Sequence, residues 1–458
     1  MNLISANNIP EEDLSISLDQ INPYRGNRVV VVLDDDPTGT QTVHGVYILT
    51  SWSKDELRWA FSQGIFYILT NSRSLGEKEA FDLVFEICQN VKSVSQELDR
   101  PYLIVTRGDS TLRGHFEPET SAAKQAIGQQ DALTVFAPAF FEGNRITLNN
   151  QHYISDGDEL TPVSGTPFAE DKTFGFASSY LYEYVQEKSS YTSQDIFDLS
   201  LEDIRLLSVA LLADRIFNER SKKVLIVNAL VQADLNKVAA ALYIAQQQGL
   251  NVLVRSGASM VSALGGIGPN LLESKDFKVS AAGGLIVVGS YVPKTTSQFN
   301  ELRKNHTLTE IEIEVSRLIE KGQEVITESA EQMNTAVNSG KDSVLFTSRA
   351  LVSGDSPDSS LAIVNQVSNG VISIMNQLQE PPAFVIAKGG ITSSDVATKV
   401  LGIKRGKVLG QILPGVPVWE LGAETQFPGI PFIVFPGNVG SETALSEAYE
   451  KLKRTTNE

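Results

Sequence analysis

The stretch VVVVLDDDPTGT puts three carboxylates, Asp34, Asp35 and Asp36, directly after a β-branched apolar run and before Pro37, Thr38 and Gly39. Three later apolar runs end in equally reactive company. IFYILT (65–70) leads into Asn71, Ser72 and Arg73; YLIVT (102–106) into Arg107, Asp109, Ser110 and Arg113; ALTVFA (132–137) into a loop carrying Arg145. Arginine's planar fork binds a carboxylate bidentately, so an arginine cluster reads a small organic acid. An aspartate beside a substrate hydroxyl can orient it and accept its proton. Asp35 and Asp36 equally suit N-cap and turn positions before Pro37.

The elements that must position these groups alternate along the chain. Short apolar runs at 29–33, 65–70, 102–106, 132–137, 224–228 and 251–255 are separated by helical periodicities such as 74–98 and 232–248. That alternation predicts a parallel sheet flanked by helices. Ser74 with Glu77 three residues on reads as the capping box of the first long helix. A second series of runs occupies 285–289, 308–314, 343–347, 383–387 and 431–435. Between the two series, Gly265–Gly284 is polar and glycine-bracketed, as a junction is. The expected fold class is α/β, with two α/β domains of largely parallel sheets facing each other across a cleft, residues 1–270 and 280–458. In such sheets ligands bind beyond the carboxyl ends of the strands.

Composition narrows the classes. The 458 residues carry a formal net charge of −17, which repels nucleic acid, and no basic stripe overrides it. No apolar run reaches the ~18 residues of a membrane span, and the polar, acidic start lacks the order of a secretion signal. Cys88 is the only cysteine, which excludes an internal disulfide and a cysteine metal cluster, and its helical apolar neighbours place it in the core. A cytoplasmic protein with a small-molecule substrate is expected, with no nucleic-acid or membrane partner; a homo-oligomer stays open. His44, His115 and His152 lack metal-ligand spacing and read as polar loop residues. Trp419 reads as packing between strands, and the acidic DGDEL (156–160) as a solvated loop.

The second half carries a different signature. GSYVPKTTSQ (289–298), KGGITSSDVATKVLG (388–402) and FPGNVGSE (435–442) each turn from a strand through Gly or Ser toward a helix rich in hydroxyls. Free N–H groups at such turns suit phosphate. Standard fingerprints are absent: VNSGKDS (337–343) has Asp342 where a P-loop needs Ser or Thr, and there is no kinase HRD set.

Taken in order, DDPTG (35–39), TNSRSL (70–75), GDSTLRG (108–114), APAFFEGNRITLNNQHYI (137–154), the three second-half blocks and ILPGVPVWEL (412–421) resemble the four-carbon acid sugar kinases. The likeness covers most of the chain. It implies a sugar-acid-binding N-terminal domain and an ATP-binding C-terminal domain. By motif, Gly389, Gly390, Ile391 and Thr392 would touch nucleotide phosphates. Gly437 and Asn438 would line the same site, and Ser290 would begin the first phosphate loop. Asp35, Arg73, Asp109, Ser110, Arg113 and Arg145, with Asp36 beside them, would face the acid. Asp35 or Asp109 would take the proton from the attacking hydroxyl, with ATP accompanied by Mg²⁺. The sequence departs from the family's usual pattern at Pro37, Thr40, Gly108 and Val292, which bears on the identity of the acid, a threonate, erythronate or 3-oxo-tetronate. Two other classes compete: a two-lobed small-acid-binding protein without chemistry, and a metal-dependent phosphatase or hydrolase using the three aspartates as a cage.

Overall fold

The computed structural model describes residues 9–157, 159–289, 292–348, 357–437 and 439–453. The chain divides into two units, the first ending at Pro269 and the second beginning at Asn270.

In the first unit the strands are β1 (Val29–Asp34), β2 (Tyr47–Leu49), β3 (Ile65–Leu69), β4 (Tyr102–Arg107), β5 (Leu133–Ala137), β6 (Arg145–Leu148), β7 (Gln151–Asp156), β8 (Glu159–Pro162), β9 (Ile196–Leu199), β10 (Val224–Val227) and β11 (Val252–Ser256). Eight of them pair in the order β2-β3-β1-β4-β11-β5-β10-β9, every pairing parallel. Val29, Val30, Val31 and Val32 are all fully buried, which is why β1 reads as an unbroken β-branched run rather than an alternation. One face packs on Val84, Ile87, Cys88 and Val91 of the helix Glu77–Leu98, so Cys88 is a core residue. β6, β7 and β8 form a small antiparallel sheet that the sequence did not announce.

From β1 the chain goes outward to β3 on one side and to β4 on the other. That reversal is the switch point where open α/β sheets bind ligands. The loops after β1, β3 and β4 all leave from it.

The second unit contains β12 (Leu285–Val288), β13 (Thr309–Ile313), β14 (Ser343–Thr347), β15 (Val385–Lys388), β16 (Arg405–Leu413), β17 (Val416–Glu420) and β18 (Pro431–Phe435). Their order is β13-β14-β12-β15-β18-β17-β16; the first five are parallel, and β17 and β16 close the series antiparallel. Here β12 is the switch point, between β14 and β15. Trp419 is fully buried and meets Phe432 edge-on at 5.8 Å, so it packs between strands as expected.

One local expectation needs correction. The helix after β3 begins at Glu77 rather than Ser74, with Gly76 as N-cap and its N–H donating to Glu79 at 3.1 Å. Ser74 instead closes a 3₁₀ turn, its hydroxyl donating to Asn71 O at 2.8 Å. Among the described residues no helix is long and apolar enough to cross a membrane.

Candidate active site

Register sets the charge cluster. Asp34, the last residue of β1, lies opposite Leu69 of β3 and Arg107 of β4. Arg107 donates to Asp34 at 3.2 Å and stands 3.7 Å from Asp35. Burial, opposed by Arg107 and reinforced by Asp35 and Asp36, lifts the Asp34 carboxyl to about 8, so it carries a proton at neutral pH. Gly39 is glycine for a steric reason: a Cβ there would overlap the Asp34 carboxyl group.

Arg73 lies between three aspartates, 3.1 Å from Asp35, 3.0 Å from Asp36 and 3.9 Å from Asp109. The turn that presents it starts at Asn71, which is left-handed with φ 50°. Asp36 accepts from the Thr38 hydroxyl at 2.5 Å and its N–H at 2.8 Å, the Asx turn anticipated before Pro37. Burial pushes Asp36 upward, but Arg73 and Thr38 outweigh it and hold the group below the ordinary carboxylate value.

Asp109 is held from three directions. Arg113 Nε donates to it at 2.7 Å, Thr111 donates its hydroxyl, and Arg73 approaches. These cations overcome burial and keep Asp109 well below the usual carboxylate range. Arg113 also reaches Asp171 at 3.5 Å and lies 4.9 Å over the Phe168 ring. The loop bends through Leu112 (φ 70°) and Gly114 (φ 117°). Leucine disfavours that region, and its buried carbonyl is fastened by the Tyr184 hydroxyl at 2.6 Å.

Asp35 differs from Asp36 and Asp109. It is buried, and its Oδ2, like that of the protonated Asp34, makes no hydrogen bond. Burial, opposed chiefly by Arg73 and Arg107, brings it to about 6. Arg145 differs too: it makes no ion pair among the described residues, its guanidinium turns back to the Gly143 carbonyl, and its Nε is buried without a partner. Ser110 is buried, its carbonyl accepting from His152 Nε2 at 2.8 Å. A carbonyl can only accept, so that nitrogen carries the proton and Nδ1 accepts from Thr147 at 2.9 Å. His44 and His115 likewise bond backbone carbonyls, of Gly268 at 2.8 Å and Leu75 at 3.0 Å.

The first unit thus brings Asp35, Asp36, Arg73, Asp109, Ser110, Arg113 and Arg145 onto one loop edge. Sequence reasoning left three supporting residues out. Arg255, at the end of β11, ion-pairs with Glu119, both buried, and Glu119 accepts from the Ser72 hydroxyl. A Cβ on Gly108 would come within 2.5 Å of the Arg255 guanidinium, which explains the glycine before Asp109. The rule that found Arg107, a polar residue ending an apolar run, applies to NVLVR as well. Asp171 has no comparable signal.

In the second unit, Gly389 follows β15 with φ 119°, and Gly390 opens the short helix Gly390–Asp395. Gly389 N–H donates to Phe435 O at 2.9 Å, joining the loops after β15 and β18. A Cβ on Gly289 would overlap the Thr392 side chain, so the loop after β12 packs against them as well. Thr295 donates to Gly437 O at 3.1 Å. Ile391 is 63% exposed. Gly389, Gly390, Ile391, Thr392 and Gly437 are therefore gathered at one strand edge, while Ser290 and Asn438 lie outside the described residues. No three His, Cys, Asp or Glu side chains gather as a metal cage among the described residues.

Residues 30–264 match the family described as a sugar-binding N-terminal domain, and residues 285–445 the one described as a nucleotide-binding C-terminal domain. The class is a two-domain α/β protein pairing a sugar-binding with a nucleotide-binding domain. Within it, the chain belongs to the four-carbon acid sugar kinase family. It is 26% identical over 302 residues to a D-erythronate kinase from Heliobacterium modesticaldum, a match spanning 64% of this chain and 64% of that relative's length. Two solved structures share the fold. A Haemophilus influenzae protein, 17% identical, superposes with TM-score 0.63 over 92% of this chain and all of its own. One from Salmonella typhimurium LT2, 16% identical, gives 0.68 over 94% of this chain and all of its own.

Proposed function

We propose that this chain is an ATP-dependent kinase that phosphorylates a hydroxyl of a small four-carbon sugar acid such as erythronate, threonate or a 3-oxo-tetronate. One observation carries the reading of the first unit: a buried aspartate with an unpartnered oxygen, Asp35, shares an edge with Arg145, an arginine that makes no ion pair among the described residues. Arg145 would take the substrate carboxylate, with Arg73 and Arg113 beside it. Asp35, poised near 6, would orient the attacking hydroxyl and accept its proton. Asp109, locked by Arg113 and Thr111, is a poorer base and would instead hold Arg113 in place.

The glycine edge of the second unit would seat the nucleotide. Gly389 and Gly390 leave room for close approach, and Thr392 and Gly437 would flank the phosphates. ATP supplies the transferred phosphoryl group. Mg²⁺ would offset charge on the phosphates; no protein cage for it is assigned. Phosphoryl transfer depends on positioning and charge neutralisation more than on covalent help. The relative named D-erythronate kinase supports the same reading.

A coupled ADP-release assay over four-carbon sugar acids and their oxo forms tests it. At least one acid should release ADP well above background. ADP release from none of them, with tight binding of an acid and no nucleotide binding, would favour a binding protein. Turnover without ATP, abolished by chelator, would favour the hydrolase.

A further inference from the structure

Beneath the glycine loops of the second unit lies a cation that neither the sequence nor the proposed chemistry has used. Lys388, the last residue of β15, is fully buried. Its Nζ donates to the Pro436 carbonyl at 2.5 Å and stands 4.1 Å from the centre of the Phe435 ring. Its strand neighbours in register, Val288 and Phe435, are uncharged. The helix Pro293–Asn305 contributes a second cation, Lys294, whose charge acts on it. Among the described residues Lys388 has no carboxylate partner.

A buried ammonium without a counter-ion is costly, and one carbonyl and a ring face offset only part of that cost. The position is informative because Lys388 joins two of the loops gathered for phosphate. It precedes Gly389 in the chain and grips the residue before Gly437. The same third loop is held from behind by Thr295 on Gly437 O, and by Gln298, which donates to Val439 O at 3.0 Å and Ser441 O at 2.7 Å.

We propose that Lys388 is a positioning residue of the nucleotide site: it fixes the loops after β15 and β18 to each other and lends them a buried positive charge that phosphate completes, so that nucleotide binds together with a proton. Burial first, and Lys294 second, bring Lys388 down to about 7, leaving it only partly protonated in the free protein near neutral pH. An anion on the loops favours the charged form and raises that value. Affinity is therefore strongest below pH 7 and falls as pH climbs above it.

The inference rests on the nucleotide reading of the second unit, and ADP is the probe that separates the two. Calorimetric titration of the whole protein with ADP between pH 7.5 and 8.5 avoids the nucleotide's own ionisation, its phosphates being titrated below that range. Wild type should lose several-fold affinity across the interval. In paired buffers of different ionisation enthalpy it should take up about half a proton or more per ADP. Lys388→Met should bind ADP about ten- to a hundredfold more weakly, with no pH slope. A flat wild-type profile, or a Lys388→Met variant with wild-type affinity and slope, overturns the proposal while leaving the nucleotide site standing. Should Lys388→Met fail to fold, the wild-type slope and proton count decide alone. Absence of ADP binding by wild type sinks the underlying reading and this inference with it.

Discussion

Replacing Asp35 by Asn and, separately, Asp109 by Asn distinguishes the two carboxylates that sequence leaves equivalent. Asp35 keeps one buried oxygen without a hydrogen bond, and burial holds it near 6, close enough to neutrality to accept a proton efficiently. Asp109 has its Oδ2 engaged by Arg113 at 2.7 Å and by Thr111, with Arg73 3.9 Å from its Oδ1. Loss of a general base costs about 10²–10⁴ in turnover, which is about 3–5 kcal/mol at 1.36 kcal/mol per decade. Asp35→Asn should fall in that range in kcat, with ADP affinity unchanged, because the glycine loops are not altered. Asp109→Asn removes an ion pair from Arg113, so its main effect should be a KM for the acid raised about tenfold or more, the scale of one charged hydrogen bond. The assay is initial-rate kinetics with the best acid found in the screen, alongside calorimetric ADP binding. A kcat for Asp35→Asn above about a tenth of wild type, or a deeper kcat loss in Asp109→Asn, would refute the assignment.

Four further outcomes follow from the same geometry. In wild type, kcat should be flat above pH 7 and decline as pH falls through about 6, because the base must be ionised to accept a proton; a profile with no acid limb there counts against Asp35. Arg145→Met should raise the KM for the acid about ten- to a hundredfold with little change in ADP affinity, and equal losses for both ligands would contradict its role. Gly39→Ala drives a methyl into the buried Asp34 carboxyl and should cost about 2–3 kcal/mol in urea unfolding; a loss under about 0.5 would mean the carboxyl moves freely. Burial chiefly holds His152 neutral, at about 4 against 6.5 in an unfolded chain, so it contributes about 3 kcal/mol of stability that is complete above pH 6.5 and is lost as pH falls to 4. His152→Gln should flatten that part of the stability–pH curve.

Much of the fold was legible because buried parallel strands write themselves as uninterrupted β-branched runs. Val29–Leu33 and Leu285–Val288 needed no other signal. What stayed hidden obeys different rules. β16 mixes half-buried and buried residues along nine positions, glycine, lysine and glutamine among them, with register shifts against β17, so no compact apolar run marks it. β2 has only three residues. The helix beginning at Glu77 shows why caps mislead: Ser74 satisfies the side-chain pattern, but the 3₁₀ turn that aims Arg73 at the aspartates uses Ser74 first.

The candidate site was legible in membership and illegible in pairing, for a reason intrinsic to charge. Strand ends can be read from hydrophobicity, and hydrophobicity alone therefore assigns the aspartates and arginines of four loops to one edge. Which arginine neutralises which carboxylate depends on the backbone turns at Asn71, Leu112 and Gly114, residues with positive φ that no periodicity reveals. The consequence is functional. Arg73, Arg107, Arg113 and Arg255 are each committed to a carboxylate at 3.9 Å or less, so a count of arginines overstates the charge available to a substrate acid. Arg145 alone of this group makes no such pair among the described residues, and Lys388 stands in the same relation to the loops of the second unit. In both units the residue that points to a ligand is a cation, half-buried in Arg145 and fully buried in Lys388, whose counter-charge the protein has not supplied, because burial makes an uncompensated charge expensive unless something else brings the anion.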